Sequence, residues 1–417
     1  MKKSLSLLIC LLMLMLAGCG TQETPATTTA PAETQAVPTF QGTVYAPDTA
    51  TLTADSLSEE DIAALADFPG LTTLDASGCT DQAMLLKAKA AFPELNIICK
   101  VKLGSSTLGS SSPMATVDLV SATELAEALP LMPQLKKLVI TTPLETGALE
   151  LLTLGLEYPE LTLDFSFLLE GITVHSLAES LDFSNIQIAD LDKLEAIVTK
   201  MPNLTRVDMH HCGIDNEVMD ALNRRYENIQ FVWSVYVARM YLPTDVEAFI
   251  PIKHGKVVYD YDLVNLKYCT EMRAIDLGHQ LVSHCDWARY MTKLEFFLCA
   301  DTMLQSIEPL TGLEHLKYVE IFITNVKDYS PLLTLPVLED LNICWTYGDA
   351  EIIAQMPYLK RLWWAGKWFR PEERELIVSS LPDTLLNLDD GESTGAGWRQ
   401  HDNYYEMRDL LGMHYMG

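Results

Sequence analysis

Three short clusters of His, Cys, Asp and Glu are the places where this sequence could hold a metal or move a proton, since these side chains ligate ions and act as acids and bases. They are His210-His211-Cys212; His279 with His284, Cys285 and Asp286; and Asp389-Asp390-Gly391-Glu392. The first lies on a strand pattern, where adjacent side chains point to opposite faces. The second has no recognisable ligand spacing, and the third lacks the twelve-residue spacing of a calcium loop. We therefore interpret them as a strand, a loop and a turn, and predict no metal.

Several motifs of common catalytic sites are also absent from the sequence. It contains no His-Glu-x-x-His, no phosphate-binding Gly-x-x-x-x-Gly-Lys, no Gly-x-Gly-x-x-Gly and no Cys-x-x-Cys. We predict that the protein is not an enzyme and takes no cofactor.

The charge balance excludes another class. The 417 residues carry 57 Asp and Glu against 29 Lys and Arg, a formal net charge of −28. Such a chain repels the phosphate backbone that supplies most nucleic-acid affinity, so no nucleic-acid partner is expected. With 48% hydrophobic and 21% charged residues, the chain can bury a large core and is not disordered.

The N-terminus predicts a cellular location. Lys2 and Lys3 precede an apolar run over 5–16, which has the length of a signal-peptide core and is too short to span a bilayer. Leu16-Ala17-Gly18-Cys19 follows, and it resembles the lipobox of bacterial lipoproteins. That resemblance implies cleavage before Cys19, acylation of its thiol and a lipid-anchored protein at the bacterial cell surface, outside the cytoplasm. An ordinary secretory signal cut near Ala17, or an uncleaved anchor, is the alternative.

A 22-residue period dominates the C-terminal half. The pattern apolar-x-x-apolar-x-apolar starts at Met272, Leu294, Leu316, Leu338 and Leu359, with spacings of 22, 22, 22 and 21. This resembles the leucine-rich repeat, and Ser306-Ile-Glu-Pro-Leu310 and Asp328-Tyr-Ser-Pro-Leu332 are similar to its internalin-type variant. The resemblance implies an α/β solenoid, a horseshoe with a parallel concave sheet and with helices or irregular turns on the convex side.

The N-terminal half repeats at 64 to 69 residues, which is three turns of about 22. Helical patterns at 58–68, 81–92, 123–131 and 215–226 separate its strand-like runs. Cys79 and Cys212 fit the cysteine-bearing repeats of ribonuclease-inhibitor-like proteins, so we expect them to be buried. Cys269 with Cys285 is the one disulfide that the spacing leaves open.

These patterns predict five segments. They are a signal peptide at 1–18, a lipidated Cys19 with a Thr/Pro/Ala-rich tether at 19–50, helix-containing repeats at 51–245, 22-residue repeats at 246–370 and a C-terminal cap at 371–417. We interpret 235–263 as an inserted turn between the two repeat blocks. The cap resembles the closing segment of surface leucine-rich-repeat proteins of Gram-positive anaerobes.

Strand alternation predicts which side chains the C-terminal repeats present on the concave sheet face. Aromatic and apolar residues fall there together, edged by charges, and we call this set the aromatic patch. Its members are Phe296, Leu298, Tyr318, Glu320, Phe322, Asp340, Trp345, Arg361 and Trp363. The same strand alternation places Trp364 in the core.

Clustered exposed aromatics are typical of binding surfaces, unless a cap or a partner covers them. We therefore predict a membrane-anchored recognition module that binds a protein, peptide or glycan at the cell surface through the aromatic patch. A structural spacer of the envelope without a specific ligand is the alternative.

Overall fold

Strands of two to four residues, separated by a helix or a tight turn, recur along the chain. The computed structural model describes residues 37–251, 257–389 and 391–413. The chain divides after Ile97 into two compact units.

The first unit begins with an antiparallel pair and continues with strand–helix turns. Its elements are β1 (Thr39–Phe40), β2 (Thr43–Val44), β3 (Thr51–Thr53), α1 (Glu59–Ala64), β4 (Thr73–Asp75), α2 (Gln82–Ala91) and β5 (Asn96–Ile98), which ends one residue past the division. Strands β3 and β4 pair in parallel, and β5 is the third strand of that sheet. The side chains of Ser58 and Asp81 cap α1 and α2, at the residues where the predicted helical patterns begin. Phe40 is buried, so ordered structure begins within the segment predicted as tether.

The second unit continues with longer repeats. Its first elements are β6 (Lys100–Leu103), β7 (Ser106–Gly109), β8 (Met114–Val117), α3 (Ala122–Ala128), β9 (Lys137–Ile140), α4 (Ala148–Glu157), β10 (Thr162–Asp164), β11 (Ser166–Leu169), β12 (Ile172–His175), β13 (Ser180–Asp182), α5 (Leu191–Val198), β14 (Arg206–Asp208), α6 (Asn216–Arg225), β15 (Gln230–Val232), β16 (Ser234–Val237) and β17 (Met240–Pro243). Strands β8–β10 and β13–β15 form two parallel three-stranded sheets.

An antiparallel hairpin follows the third strand of each long repeat, as β6–β7, β11–β12 and β16–β17. A buried hydroxyl closes each one: Ser110, Ser176 and Thr244 accept hydrogen bonds of 3.0, 3.0 and 3.2 Å from the backbone eleven residues earlier. The interpretation of 235–263 as an inserted turn is therefore wrong in its first part. That part is the third copy of a repeated hairpin.

The C-terminal repeats form one parallel sheet of seven strands in the order β18 to β24. The elements are β18 (Ala248–Phe249), β19 (Ala274–Asp276), β20 (Phe296–Leu298), β21 (Tyr318–Glu320), β22 (Asp340–Asn342), α7 (Ala350–Ile353), β23 (Arg361–Trp363), α8 (Pro371–Ser380), β24 (Leu385–Asn387) and α9 (Asp402–Leu410). Short 3-10 turns replace the helices between β19 and β22.

The repeat period explains this architecture. The leading apolar residues Met272, Leu294, Leu316 and Leu338 are fully buried, because each turn hides its apolar face against the next. The fold is the leucine-rich-repeat solenoid that the sequence predicts. The predicted cap, 371–417, starts with one more turn of the repeat, since β24 pairs in parallel with β23. Only the segment after Asn387 has a different structure.

The described cysteines, including Cys79 and Cys212, are all buried, and Cys269 and Cys285 form no disulfide. The predicted signal peptide and Cys19 lie outside the described residues. Among the helices of the described part, none is long and apolar enough to cross a membrane.

Candidate functional site

The structure brings the aromatic patch together as the strand register predicts. Phe296, Tyr318, Asp340 and Arg361 are successive partners across β20 to β23. Leu298, Glu320 and Trp363 lie in the same sheet two residues further along their strands.

The expected exposure of the patch is wrong. Seven of its members are buried: Phe296, Leu298, Tyr318, Glu320, Phe322, Asp340 and Trp363. Arg361 and Trp345 are partly buried. Trp364 is in the core, as predicted, but Trp363 is also only 1% exposed, where the sequence predicts an exposed side chain.

The chain's own C-terminal segment covers the patch. Trp398 lies against both Tyr318 and Trp363, with ring centroids 5.3 Å apart in each pair. Tyr404 and Met407 of α9 are buried in the same apolar cluster. We call residues 393–413 the covering segment.

Polar contacts fix the covering segment to the sheet. The carboxylate of Glu320 accepts hydrogen bonds from the Tyr318 hydroxyl and from the Trp398 indole, the latter at 2.5 Å. Burial raises the pKa of Glu320, while the two hydrogen bonds oppose the shift. The Trp363 indole donates to the backbone oxygen of Gly395 at 3.0 Å, so the indole N–H groups of both Trp363 and Trp398 have hydrogen-bond partners.

A buried ion pair adjoins this contact. The Asp340 carboxylate lies 2.5 Å from the Arg361 Nε and accepts a 2.7 Å hydrogen bond from the Asn403 side chain. His401, whose Nδ1 is 3.7 Å from Asp340, is also covered, and this burial lowers its pKa although Asp340 acts in the opposite direction. The patch is thus an interior contact of the folded chain rather than an open surface.

The sheets of the longer repeats carry charged side chains on their strands. On β9 and β10, Lys137 and Asp164 form a 2.7 Å ion pair. On β14, Arg206 bridges Asp208 at 2.6 Å and Asp245 at 2.8 Å. These charges are partly exposed, which explains why a covering segment with an apolar face packs only on the aromatic part of the repeat array.

Trp345 is the one predicted aromatic that lies beside an open cavity. The cavity follows the carboxyl ends of β19 to β22 and has a volume of about 480 Å³. Its main lining residues are Leu281, Asp301, Met303, Ile323, Thr324, Asn325, Trp345 and Tyr347. We call it the edge groove.

Left-handed backbone conformations line up along this groove. Asp301, Ile323 and Trp345 have φ angles of 50°, 53° and 52°, and each donates its backbone N–H to the next turn. A left-handed conformation is strained for a β-branched or bulky residue. The next turn has Gly366 there, with φ 79°, and the Trp345 ring occupies the space that a Cβ would need. Because the positive φ recurs at the equivalent position of successive turns, the geometry of the repeat imposes this conformation on Ile323 and Trp345.

An exposed row runs beside these residues. In each turn from β19 to β23, the residue of this row lies seven positions after the first residue of the strand. The row reads Leu281, Met303, Asn325, Tyr347 and Trp368. Tyr347 is 68% exposed and Trp368 is 85% exposed. A row of exposed apolar side chains at equivalent positions is typical of an interaction surface.

Replacing Ile323 by Asn is expected to raise the free energy of unfolding by about 0.5–1 kcal/mol, because Asn tolerates a left-handed conformation that costs other residues about 1–2 kcal/mol. Urea denaturation measures the change. Leu281→Asn removes a comparable exposed side chain at a residue without positive φ and should bring no gain. A loss of stability in Ile323→Asn would contradict the strain.

The clusters considered for metal binding do not converge. His210 pairs with Ser234 at 2.9 Å, and His279 pairs with Asp301 at 2.8 Å. The backbone of His284 donates to Asp260. Within the residues that the structure describes, no group of three or more His, Cys, Asp or Glu side chains could hold a metal ion. Asp390 of the third cluster lies outside the described residues.

No protein-family model and no curated protein matches the chain. Among solved structures, it is similar to an internalin (inlF) of Listeria monocytogenes, with 15% identity over 72% of this chain and 89% of that chain and a TM-score of 0.30. It is also similar to a leucine-rich-repeat protein of Leptospira interrogans, with 12% identity over 80% and 93% and a TM-score of 0.29. An internalin C2 of Listeria monocytogenes gives 14% identity over 58% and 83% and a TM-score of 0.26. These similarities are to repeat proteins and do not extend to a ligand.

Proposed function

We propose that the protein is a lipid-anchored binding protein outside the cytoplasm, and that its ligand lies in the edge groove. The lipobox-like Leu16-Ala17-Gly18-Cys19 supports the anchor. The observation that carries the binding role is the exposed row, above all Tyr347 and Trp368, beside the strained Ile323 and Trp345. A protein that only spaces the envelope gains nothing from aromatic side chains left in water.

The proposal does not place the ligand on the aromatic patch, which the sequence predicts to be an open binding surface. Its buried members would meet a ligand only after the covering segment had left the sheet. Trp345 is the patch residue that reaches the groove, so the binding role moves from the sheet face to the ends of the strands.

Fractionation and capture test the two halves of the proposal together. The full chain, expressed in a Gram-positive host, should sediment with membranes, and Cys19→Ser should release it into the medium. Protein lacking residues 1–19 should retain a component of isolated cell envelopes, and Tyr347→Ser with Trp368→Ser should lose it.

Tyr261→Ser is the matched control, because Tyr261 is a comparably exposed aromatic residue that belongs neither to the groove lining nor to the exposed row beside it. The Tyr261→Ser variant should retain as much of the envelope component as the parent protein does. If the parent captures nothing from envelopes, or if the groove variant captures as well as the control, the binding role of the groove is wrong.

A further inference from the structure

We infer that the edge groove binds an uncharged carbohydrate chain. This inference rests on the proposed function, since it names the ligand class of the same site. Four properties of the described residues lead to it: the types of side chain in the groove, their charge, the hydrogen bonds of the backbone and the repetition of the groove along the turns.

The side chains of the groove combine flat apolar surfaces with amides and hydroxyls. Trp345 and Tyr347 supply rings, and the Asn325 amide supplies a donor and an acceptor beside them. The Thr324 hydroxyl already donates to the backbone oxygen of Ile321. A hexose has the complementary surface, since its C–H faces pack on a ring while its hydroxyl groups exchange hydrogen bonds at the edge. Trp and Tyr suit such a contact because each joins a large apolar body to a polar atom.

The groove is close to neutral in a strongly acidic chain. Its lining carries one acid, Asp301, and one base, Lys327, and Asp301 is already paired with His279. The whole chain has a formal charge of −28. A basic ligand would need unpaired acids in the groove, and a polyanion would be repelled by the chain as a whole. An uncharged ligand needs no unpaired acid in the groove, and the negative charge of the chain does not repel it.

The first three residues of the row offer no free N–H group to a peptide strand. The N–H groups of Leu281, Met303 and Asn325 donate to the backbone oxygens of Val258, Val282 and Leu304 at 2.9 to 3.0 Å. Peptides that bind by strand addition need free main-chain groups along an edge. Side chains must therefore supply recognition here, which suits a sugar better than an extended peptide.

The groove also repeats with the fold. Equivalent row positions lie on adjacent turns, whose strands are spaced about 4.8 Å apart. A ligand that repeats a ring along its length can meet one side chain of the row on each turn, so contacts accumulate along the ligand. A single small molecule would use only part of the row.

Direct binding to defined polysaccharides tests the ligand class. Cellulose, chitin, mannan and starch are the uncharged probes, and heparin is the polyanionic probe. Protein lacking residues 1–19 should be retained by at least one uncharged polysaccharide and not by heparin. Tyr347→Ser with Trp368→Ser should weaken the retention at least tenfold, whereas Tyr261→Ser should leave it unchanged.

Failure of all four uncharged probes, retention by heparin alone, or retention unaffected in the groove variant would overturn the inference. Envelope capture separates this failure from failure of the proposed function. If the groove variant loses envelope capture while no uncharged polysaccharide binds, the groove is a binding site for another ligand class. If protease treatment of the envelopes abolishes that capture, the ligand is a protein.

Discussion

Trp398→Ala is expected to lower the free energy of unfolding by about 3–5 kcal/mol, as for other fully buried aromatic residues. Trp398 is fully buried between Tyr318 and Trp363, and its indole donates to Glu320. The substitution leaves a cavity in the apolar cluster between the covering segment and the sheet, and it removes a hydrogen bond from a buried carboxylate. Urea denaturation followed by circular dichroism measures the loss.

Trp368→Ala is the matched control, because it deletes the same side chain at a site that is 85% exposed. A surface substitution of this kind usually changes stability by no more than about 0.5 kcal/mol. The loss in free energy of unfolding should therefore be severalfold larger for Trp398→Ala than for Trp368→Ala. Equal effects would mean that the covering segment does not pack on the sheet as described.

Asp340→Ala should cost a similar amount, about 3–5 kcal/mol, because it leaves the partly buried Arg361 without its carboxylate. The Asp340 side chain has no exposed surface, and it also accepts the hydrogen bond that Asn403 brings from α9. The change should thus loosen the covering segment. Increased proteolysis after 393 and a lower urea midpoint would report the two effects.

Glu308→Ala removes one partner of an exposed pair with Arg289 and serves as the control. Exposed pairs contribute about 0–1 kcal/mol, so this variant should stay close to the parent protein. The double variant Asp340→Leu with Arg361→Met should lose less than the sum of its single changes, because no charge is left unpaired. Additive losses would contradict direct coupling between the two residues.

Both predictions concern a contact that the linear pattern does not contain. Strand alternation correctly predicts that Phe296, Tyr318 and Trp363 share one sheet face, since the period of two is a local property of the backbone. It cannot predict whether that face is covered. The cover comes from residues 393–413, and the pair Trp363–Trp398 joins positions 35 residues apart by packing rather than by any repeat.

The edge groove shows the opposite case. The exposed row beside it has the repeat spacing, so it is a recurring position of the sequence: Leu281, Met303, Asn325, Tyr347 and Trp368. The positive φ angles of Ile323 and Trp345 are not readable in the sequence, because no glycine marks them as Gly366 marks the next turn. Only the coordinates identify these residues as strained.

The repeat period and its apolar positions are local and recur many times, so the sequence alone was sufficient for the solenoid, for the buried Cys79 and Cys212 and for the neighbours across the seven-stranded sheet. Burial of that sheet's concave face depends on one non-repeating segment, residues 393–413. Its position is set by contacts such as Trp398 with Glu320, between residues 78 apart, whose energies exist only after the chain has folded.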